Sequence, residues 1–121
     1  MIKSFKDMQV WRDSMDIAVE IFEISNGFPK KEDYSLTSQI RRSATSISAN
    51  IAEAYGRFHT KDKINFYYFA RGSVTETQSH LIYSSKINYI SSEKSDSIIE
   101  GLDGILNFLN KIIKTLKNKN D

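Results

Sequence analysis

The chain of 121 residues contains no cysteine, one proline and five glycines, and it has no long apolar run. The absence of cysteine excludes disulfide bonds and thiolate chemistry and is compatible with a reducing cytoplasm. The first residues lack the apolar stretch of a signal peptide, and no segment approaches the ~20 apolar residues that span a bilayer. We therefore expect a cytoplasmic protein that does not enter a membrane.

The scarcity of proline and glycine also argues against flexible linkers. No Ser/Gly-rich or low-complexity stretch divides the chain, and hydrophobic residues make up 40% of it, enough for one core. The sequence therefore predicts a single domain over residues 1–121.

The chain also lacks an excess of charge of one sign. It has 17 Lys and Arg against 15 Asp and Glu, and successive thirty-residue blocks carry net charges of −1, +1, +2 and 0. A nucleic-acid domain usually has a clustered basic face, so a monomer of this composition is a poor candidate on charge alone. A ring of several copies would repeat a local cluster, such as Arg57, His59, Lys61 and Lys63, around its axis.

The sequence does have helical periodicity throughout. Apolar residues at intervals of three and four predict helices at about 7–25, 32–55 and 61–88, followed by a last helix capped by Ser91 or Ser92. We expect Gly27 to end the first helix in a left-handed conformation, Gly56 to end the second, and Thr60 to cap the third. The predicted fold class is all-α.

A polar stripe runs beside the apolar stripe of the second helix. Its members are Gln39, Ser43, Ser46, Asn50 and Glu53. Most are short or hydrogen-bonding, whereas the residues beside a core seam are usually long and charged. This pattern predicts a polar surface pressed against another helix or another subunit.

Arg71 lies on an apolar row of the third helix, between Tyr67 and Val74. Deleting the partner of a buried charge costs roughly 3–5 kcal/mol, so we expect Arg71 to have one, and Glu53 is the nearest by pattern. The alternative is a phosphate contact. The predicted polar network or interface consists of Gln39, Ser46, Asn50, Glu53, Arg71 and Gln78.

Several motifs occur in an order that periodicity does not explain. They are Phe5-Lys6-Asp7-Met8-Gln9-Val10-Trp11, Phe28-Pro29-Lys30, Leu36-Thr37-Ser38-Gln39-Ile40-Arg41-Arg42, residues 46–57 and Ala70-Arg71-Gly72-Ser73. Together they resemble the bacterial four-helix-bundle proteins encoded in intervening sequences of 23S ribosomal RNA genes. The resemblance covers most of the chain.

This resemblance implies an antiparallel up-and-down four-helix bundle that assembles as a homopentameric ring. It also implies a role with RNA, and a related branch resembles the accessory pentamer of diversity-generating retroelements. The chain departs from the family pattern at Ser48, where proline is usual, and at Ala54, where glycine is usual. We expect the helix to continue through both positions, with altered bending or helix contact that could change the closure of the ring.

Enzyme chemistry has little support in the sequence. Glu76 and His80 are four residues apart, a spacing more typical of a helix-surface contact than of a metal site, and no second such pair exists. No motif organises a nucleophile or cradles a phosphate. We expect no catalytic residue, no cofactor and no metal, although a small metal-dependent enzyme is the third hypothesis.

The first hypothesis is an RNA-associated ring. Its candidate phosphate-binding residues are Arg41, Arg42, Arg57, Lys61 and Lys63, and the candidates for stacking on bases are Tyr55, Phe58 and Tyr67. The second is a pentameric adaptor for another protein, with the wide apolar surface of the first helix as its contact. The lysines at the end of the last helix are interpreted as complementing the helix dipole rather than as a nucleic-acid tail.

Overall fold

The computed structural model describes residues 1–119, and these residues contain helices and no strands. The long helices are α1 (Gln9–Ser25), α2 (Leu36–Gly56), α3 (Thr60–Lys86) and α4 (Ser92–Lys117). Short 3-10 turns at Phe5–Asp7 and Lys30–Glu32 precede α1 and α2. The all-α prediction is confirmed. Residues 120–121, which the predicted domain includes, lie outside the described residues.

Each helix packs antiparallel against the next, and α4 closes against α1. Between α2 and α3, Arg42 pairs with Glu76 and Ser46 accepts a hydrogen bond from Ser73, so the residue numbers rise in one helix as they fall in the other. Between α4 and α1, Lys94 Nζ lies 2.5 Å from Glu20 Oε2. The result is an up-and-down four-helix bundle.

The apolar stripes of all four helices meet in one core. Its largest fully buried apolar side chains are Ile21, Ile40, Ile47, Ile51, Val74, Leu81, Leu102 and Leu109. Full burial of such a side chain contributes roughly 1.5–3 kcal/mol to stability, so this core holds the helices together. No helix within residues 1–119 is both long and apolar enough to cross a membrane.

The ends of the helices differ in part from the prediction. α2 begins at Leu36, four residues later than expected, because residues 30–32 first form a 3-10 turn. Thr60 is the first residue of α3 rather than its N-cap, which is His59. Ser91 caps α4 as predicted, since its Oγ accepts a hydrogen bond from the backbone N–H of Lys94 at 3.1 Å.

The expected left-handed glycine after α1 is wrong. Within residues 1–119, Asn88 alone has a positive φ, of 65°, and it follows α3. Asparagine tolerates this region better than most side chains, so a left-handed residue does occur, but after a different helix. α1 instead ends with backbone hydrogen bonds from Asn26 and Gly27 back to the carbonyls of Glu23 and Ile24.

Candidate nucleic-acid interface

The path of the chain collects positive charge at one end of the bundle. We define the basic half as residues 1–16, 47–72 and 105–119, where α1 and α3 begin and α2 and α4 end. It contains eleven Lys and Arg against five Asp and Glu, a net charge of +6. The acidic half, residues 17–46 and 73–104, contains six against nine, a net charge of −3. The two halves therefore differ by nine charges, although the whole chain is nearly neutral.

The connection between α2 and α3 forms the tip of the basic half. Phe58 is 89% exposed there, and its ring meets the ring of His59 edge-on at 5.1 Å. Arg57 lies 4.6 Å above the ring of Phe66, and its guanidinium is 3.7 Å from a carboxylate oxygen of Glu53. Lys61 is exposed in the first turn of α3. The tip thus presents an aromatic ring among cations that remain accessible.

Lys63 lies beside this tip, but its side chain is already hydrogen-bonded to the end of α2. Its Nζ donates to the carbonyl oxygens of Ala54 at 3.2 Å and Tyr55 at 3.1 Å. These carbonyls belong to the last turn of α2, where helix carbonyls lack partners within the helix. Lys63 therefore caps α2, and a phosphate would compete with that capping.

Arg41 and Arg42 lie in the acidic half, away from the tip. Arg41 donates to Ser25 Oγ at 2.7 Å and to Asn26 Oδ1 at 2.9 Å, and its guanidinium lies 4.4 Å above the ring of Phe22. Arg42 pairs with Glu76. The five predicted phosphate-binding residues therefore do not form one patch: Arg57, Lys61 and Lys63 lie together, and the other two tie helices to each other.

A second group of cations lies in a groove between α3 and α4. The open groove has a volume of about 510 Å³, and its lining consists of Tyr68, Arg71, Asn110, Ile113, Lys114, Lys117 and Asn118, without a carboxylate among them. The Tyr68 ring centroid lies 4.8 Å from the guanidinium carbon of Arg71 and 5.4 Å from Nζ of Lys117. The sequence pattern indicated these lysines, but it did not predict that the fold brings them close to Arg71.

The expected pairing of Arg71 with Glu53 is wrong within the chain. Arg71 donates to Asn110 Oδ1 at 3.0 Å, because its side of α3 faces α4. Gln78 lies on the same side and donates to Asp103 Oδ1 at 2.8 Å. Ser73, by contrast, faces α2.

The other members of the predicted polar set make separate local contacts. Asn50 donates to the carbonyl oxygen of Ser46 at 2.8 Å, and Gln39 accepts from Arg42 at 3.0 Å. The set is therefore divided between two sides of α3 and does not form a single network. The predicted helix contact of the polar stripe is confirmed for Ser43 and Ser46, which accept hydrogen bonds from Thr77 and Ser73 of α3.

The stacking candidates also differ from one another. Tyr67 is only 5% exposed and belongs to the core, where burial raises the pKa of its hydroxyl, so its proposed stacking role is wrong for the chain as folded. Tyr55 is half-buried, with its ring 5.9 Å from Nζ of Lys63. Of the three candidate rings, Phe58 is the one exposed to solvent.

A metal centre does not form among the described residues. Across residues 1–119, no group of three or more His, Asp or Glu side chains could hold a metal ion. His80 Nε2 lies 3.3 Å from the Glu76 carboxylate, which also pairs with Arg42. This is the helix-surface contact expected from the spacing of the two residues.

The sequence matches the family model of the 23S rRNA-intervening sequence protein over residues 6–111. The chain belongs to this family. A crystal structure of a protein with unknown function from the S23 ribosomal protein family of Bacteroides thetaiotaomicron VPI-5482 is similar, with 32% identity and a TM-score of 0.81. The similarity covers 87% of this chain and 98% of that one. No curated protein matches the chain.

In this member of the 23S rRNA-intervening sequence family, α2 runs unbroken through the two unusual positions. Ser48 is 3% exposed, and its Oγ donates to the carbonyl oxygen of Thr45 at 3.3 Å. Ala54 is fully buried. The expected continuity of the helix is confirmed, and the effect on a ring stays a prediction.

Proposed function

We propose that the protein binds RNA through the basic half of its bundle and catalyses no reaction on it. The observation that carries this proposal is the separation of charge, +6 in one half and −3 in the other. Phosphate groups lie at regular intervals along RNA, and Lys and Arg that neutralise them release counterions, which drives binding. A half-bundle with this excess of cations has a suitable field for such a ligand.

Two clusters of the basic half would contact phosphates. The first is the tip with Arg57 and Lys61, and the second is the α3/α4 groove with Arg71, Lys114 and Lys117. RNA is the nucleic acid to test first, because the name of the family refers to 23S rRNA. Arg71, bonded to a neutral asparagine, can keep its contact with Asn110 and still offer other N–H groups.

We also propose that copies of the chain assemble into a homopentameric ring, as the family resemblance implies. Self-association is supported by an apolar stripe on α1 that the bundle does not cover. Met15, Val19 and Phe22 are 37%, 50% and 53% exposed and share one helix face by their spacing. A ring would repeat the basic half around its axis and strengthen the field that RNA meets.

The experiment compares two charge reversals of equal size. Lys114→Glu with Lys117→Glu changes the basic half, whereas Lys30→Glu with Lys31→Glu makes the same change in the acidic half. RNA affinity is measured at about 50 mM and about 200 mM salt, where phosphate-driven binding differs strongly. Light scattering and thermal melting are used to check that both variants keep the mass and the fold of the wild type.

We expect the basic-half variant to lose affinity about tenfold or more and to show a shallower dependence on salt, by about 0.7 per phosphate contact for a single strand. The acidic-half variant should lose much less. Equal losses in the two variants, or no saturable RNA binding by the wild type, would refute the proposal.

The second candidate function is a protein adaptor, which the exposed stripe of α1 favours. An adaptor would bind its partner through Val19 and its neighbours, and its affinity would depend little on salt. Val19→Asp should then abolish partner binding while RNA titrations show no binding at either salt concentration. Loss of the oligomer alone in Val19→Asp would instead assign the stripe to contacts between copies.

A further inference from the structure

We infer that the tip of the basic half recognises single-stranded RNA and that Phe58 stacks on an unpaired base. This inference rests on the proposed RNA-binding function and specifies the form of RNA that is bound. The central observation is that a phenylalanine ring, which has no polar group, is 89% exposed among cations. In a connection of three residues between two helices, such a ring does not serve the core.

The backbone on either side of Phe58 is extended, and the ring lies outside the helix packing. α2 ends at Gly56, and Arg57 and His59 on either side of Phe58 have extended backbones, with φ of −82° and −83°. Arg57 turns back over Phe66, whereas Phe58 meets His59 edge-on and is otherwise 89% exposed. One face of the Phe58 ring is thereby available to a flat ligand.

The ligand that fits an exposed ring between cations is a base in a flexible strand. Every base has a face that can stack on an aromatic side chain, and its neighbouring phosphates lie within reach of cations on either side. In a duplex the bases are stacked on each other, and proteins reach mainly its backbone and groove edges. Arg57 and Lys61 lie on either side of Phe58 in the sequence, so both cations are close in the chain to the ring on which a base would stack.

A second exposed aromatic residue provides the contrast. Tyr34 is 98% exposed at the opposite end of the bundle, in the connection that precedes α2. Its neighbours in sequence are two lysines, Lys30 and Lys31, and two acids, Glu32 and Asp33, so their charges cancel. Tyr34 therefore has the exposure of Phe58 without the surrounding positive charge, which makes it the matched control.

The test uses an unstructured RNA strand of about 12 nucleotides, within the range that single-strand sites occupy, and a duplex with the same number of phosphates. A 2-aminopurine in each RNA reports stacking through quenching of its fluorescence. The proteins are the wild type, Phe58→Ala, Phe58→Leu and Tyr34→Ala. Their mass is measured by light scattering in parallel.

We expect the wild type to prefer the single strand and to quench its fluorescence. Phe58→Ala should lower affinity for the single strand about tenfold and leave the duplex affinity unchanged. Phe58→Leu should behave like Phe58→Ala because it lacks a ring, and Tyr34→Ala should behave like the wild type.

The outcomes separate this inference from the proposed function. If neither RNA binds, the proposed function fails and the inference fails with it. If both RNAs bind equally and Phe58→Ala matches the wild type, RNA binding stands and the stacking role is refuted. A smaller mass for Phe58→Ala would assign the ring to a contact between copies and would also overturn the inference.

Discussion

The two halves of the bundle use their charged side chains in different ways. In the acidic half, charges meet partners from other elements: Lys94 pairs with Glu20, Arg42 with Glu76, and Arg41 with Ser25 and Asn26. In the basic half, the ion pair found within residues 1–119 joins Arg57 to Glu53, four residues earlier in the chain. Arg71 and Lys63 donate to neutral oxygens of other helices, but several lysines there have no such contact among the described residues. Charges that already have partners hold the helices in register, whereas charges without them are available to a ligand.

This comparison predicts a large difference between two cation deletions. Arg41→Ala removes three hydrogen bonds and the contact with the ring of Phe22, and it leaves the Oγ of the buried Ser25 without its donor. We expect a loss of roughly 2 kcal/mol in the free energy of unfolding, measured by urea denaturation. Lys61→Ala should change it by less than about 0.5 kcal/mol. Similar losses would show that the basic half is held together by its charges as well.

Lys63, like Arg71, lies in the basic half but donates to another helix, as the cations of the acidic half do. Lys63→Met keeps most of the apolar stem but removes the two hydrogen bonds to Ala54 and Tyr55. We expect a loss of about 1 kcal/mol by urea denaturation, because the last carbonyls of α2 lose a charged donor. Lys61→Met is the matched control and should be close to neutral. An unchanged stability in Lys63→Met would mean that water replaces the capping at no cost.

The amino-acid sequence was sufficient for the fold because each helix has its own apolar period. The spacing of Ile40, Ile47 and Ile51 puts them on one face of a helix, and all three are fully buried. The cap at Ser91 was also predictable, since it depends on one side chain and the next turn. The start of α2 was not predictable. A 3-10 turn and an α-helical turn differ in whether the backbone N–H bonds to the carbonyl three or four residues earlier, and side-chain patterns do not report this difference.

The candidate site was less predictable because it depends on which segments meet. Lys114 and Lys117 are about forty residues from Arg71 in sequence, and only the antiparallel pairing of α3 and α4 brings them to one groove. Counting charge in consecutive blocks of sequence averages the charges at the two ends of each helix and hides the difference between the two halves of the bundle. Counting it by helix ends, with alternate helices reversed, would have revealed the basic half from the sequence.

Repulsion among the unpartnered cations gives a smaller prediction. Lys61 lies in the first turn of α3, so Lys61→Glu lowers the charge of the basic half and places an acid where the helix dipole favours one. We expect a gain of about 0.3–1 kcal/mol at low salt that shrinks as salt screens the charges. Lys111→Glu lowers the charge equally but lies almost two turns before the end of α4, where the dipole contributes little. A gain of the same size in Lys111→Glu would attribute the whole effect to repulsion.

The smallest expected effect concerns the contact that closes the acidic half. Tyr89, between α3 and α4, donates a hydrogen bond to Glu32 at 2.7 Å, and its ring packs at 5.4 Å from that of Phe28. Hydrogen bonds from Ser35 first, and then from Tyr89, hold the pKa of Glu32 below its ordinary value. The bond to Glu32 in turn raises the pKa of Tyr89.

The pKa shifts of Glu32 and Tyr89 set the pH range in which Tyr89→Phe should lower the melting temperature. A carboxyl group with a lowered pKa stabilises the fold above its ordinary pKa, about 4.3 for Glu, and that contribution is lost as pH falls through the folded value. A phenol with a raised pKa stabilises the fold below its ordinary pKa of about 10, and the contribution is lost as pH rises through the folded value. Tyr89→Phe keeps the ring contact and removes the bond, so its deficit in melting temperature should be greatest between these limits and should shrink toward acid pH. Because the bond joins the two connections of the acidic half, the absence of a deficit at every pH would mean that Tyr89 acts there through packing alone.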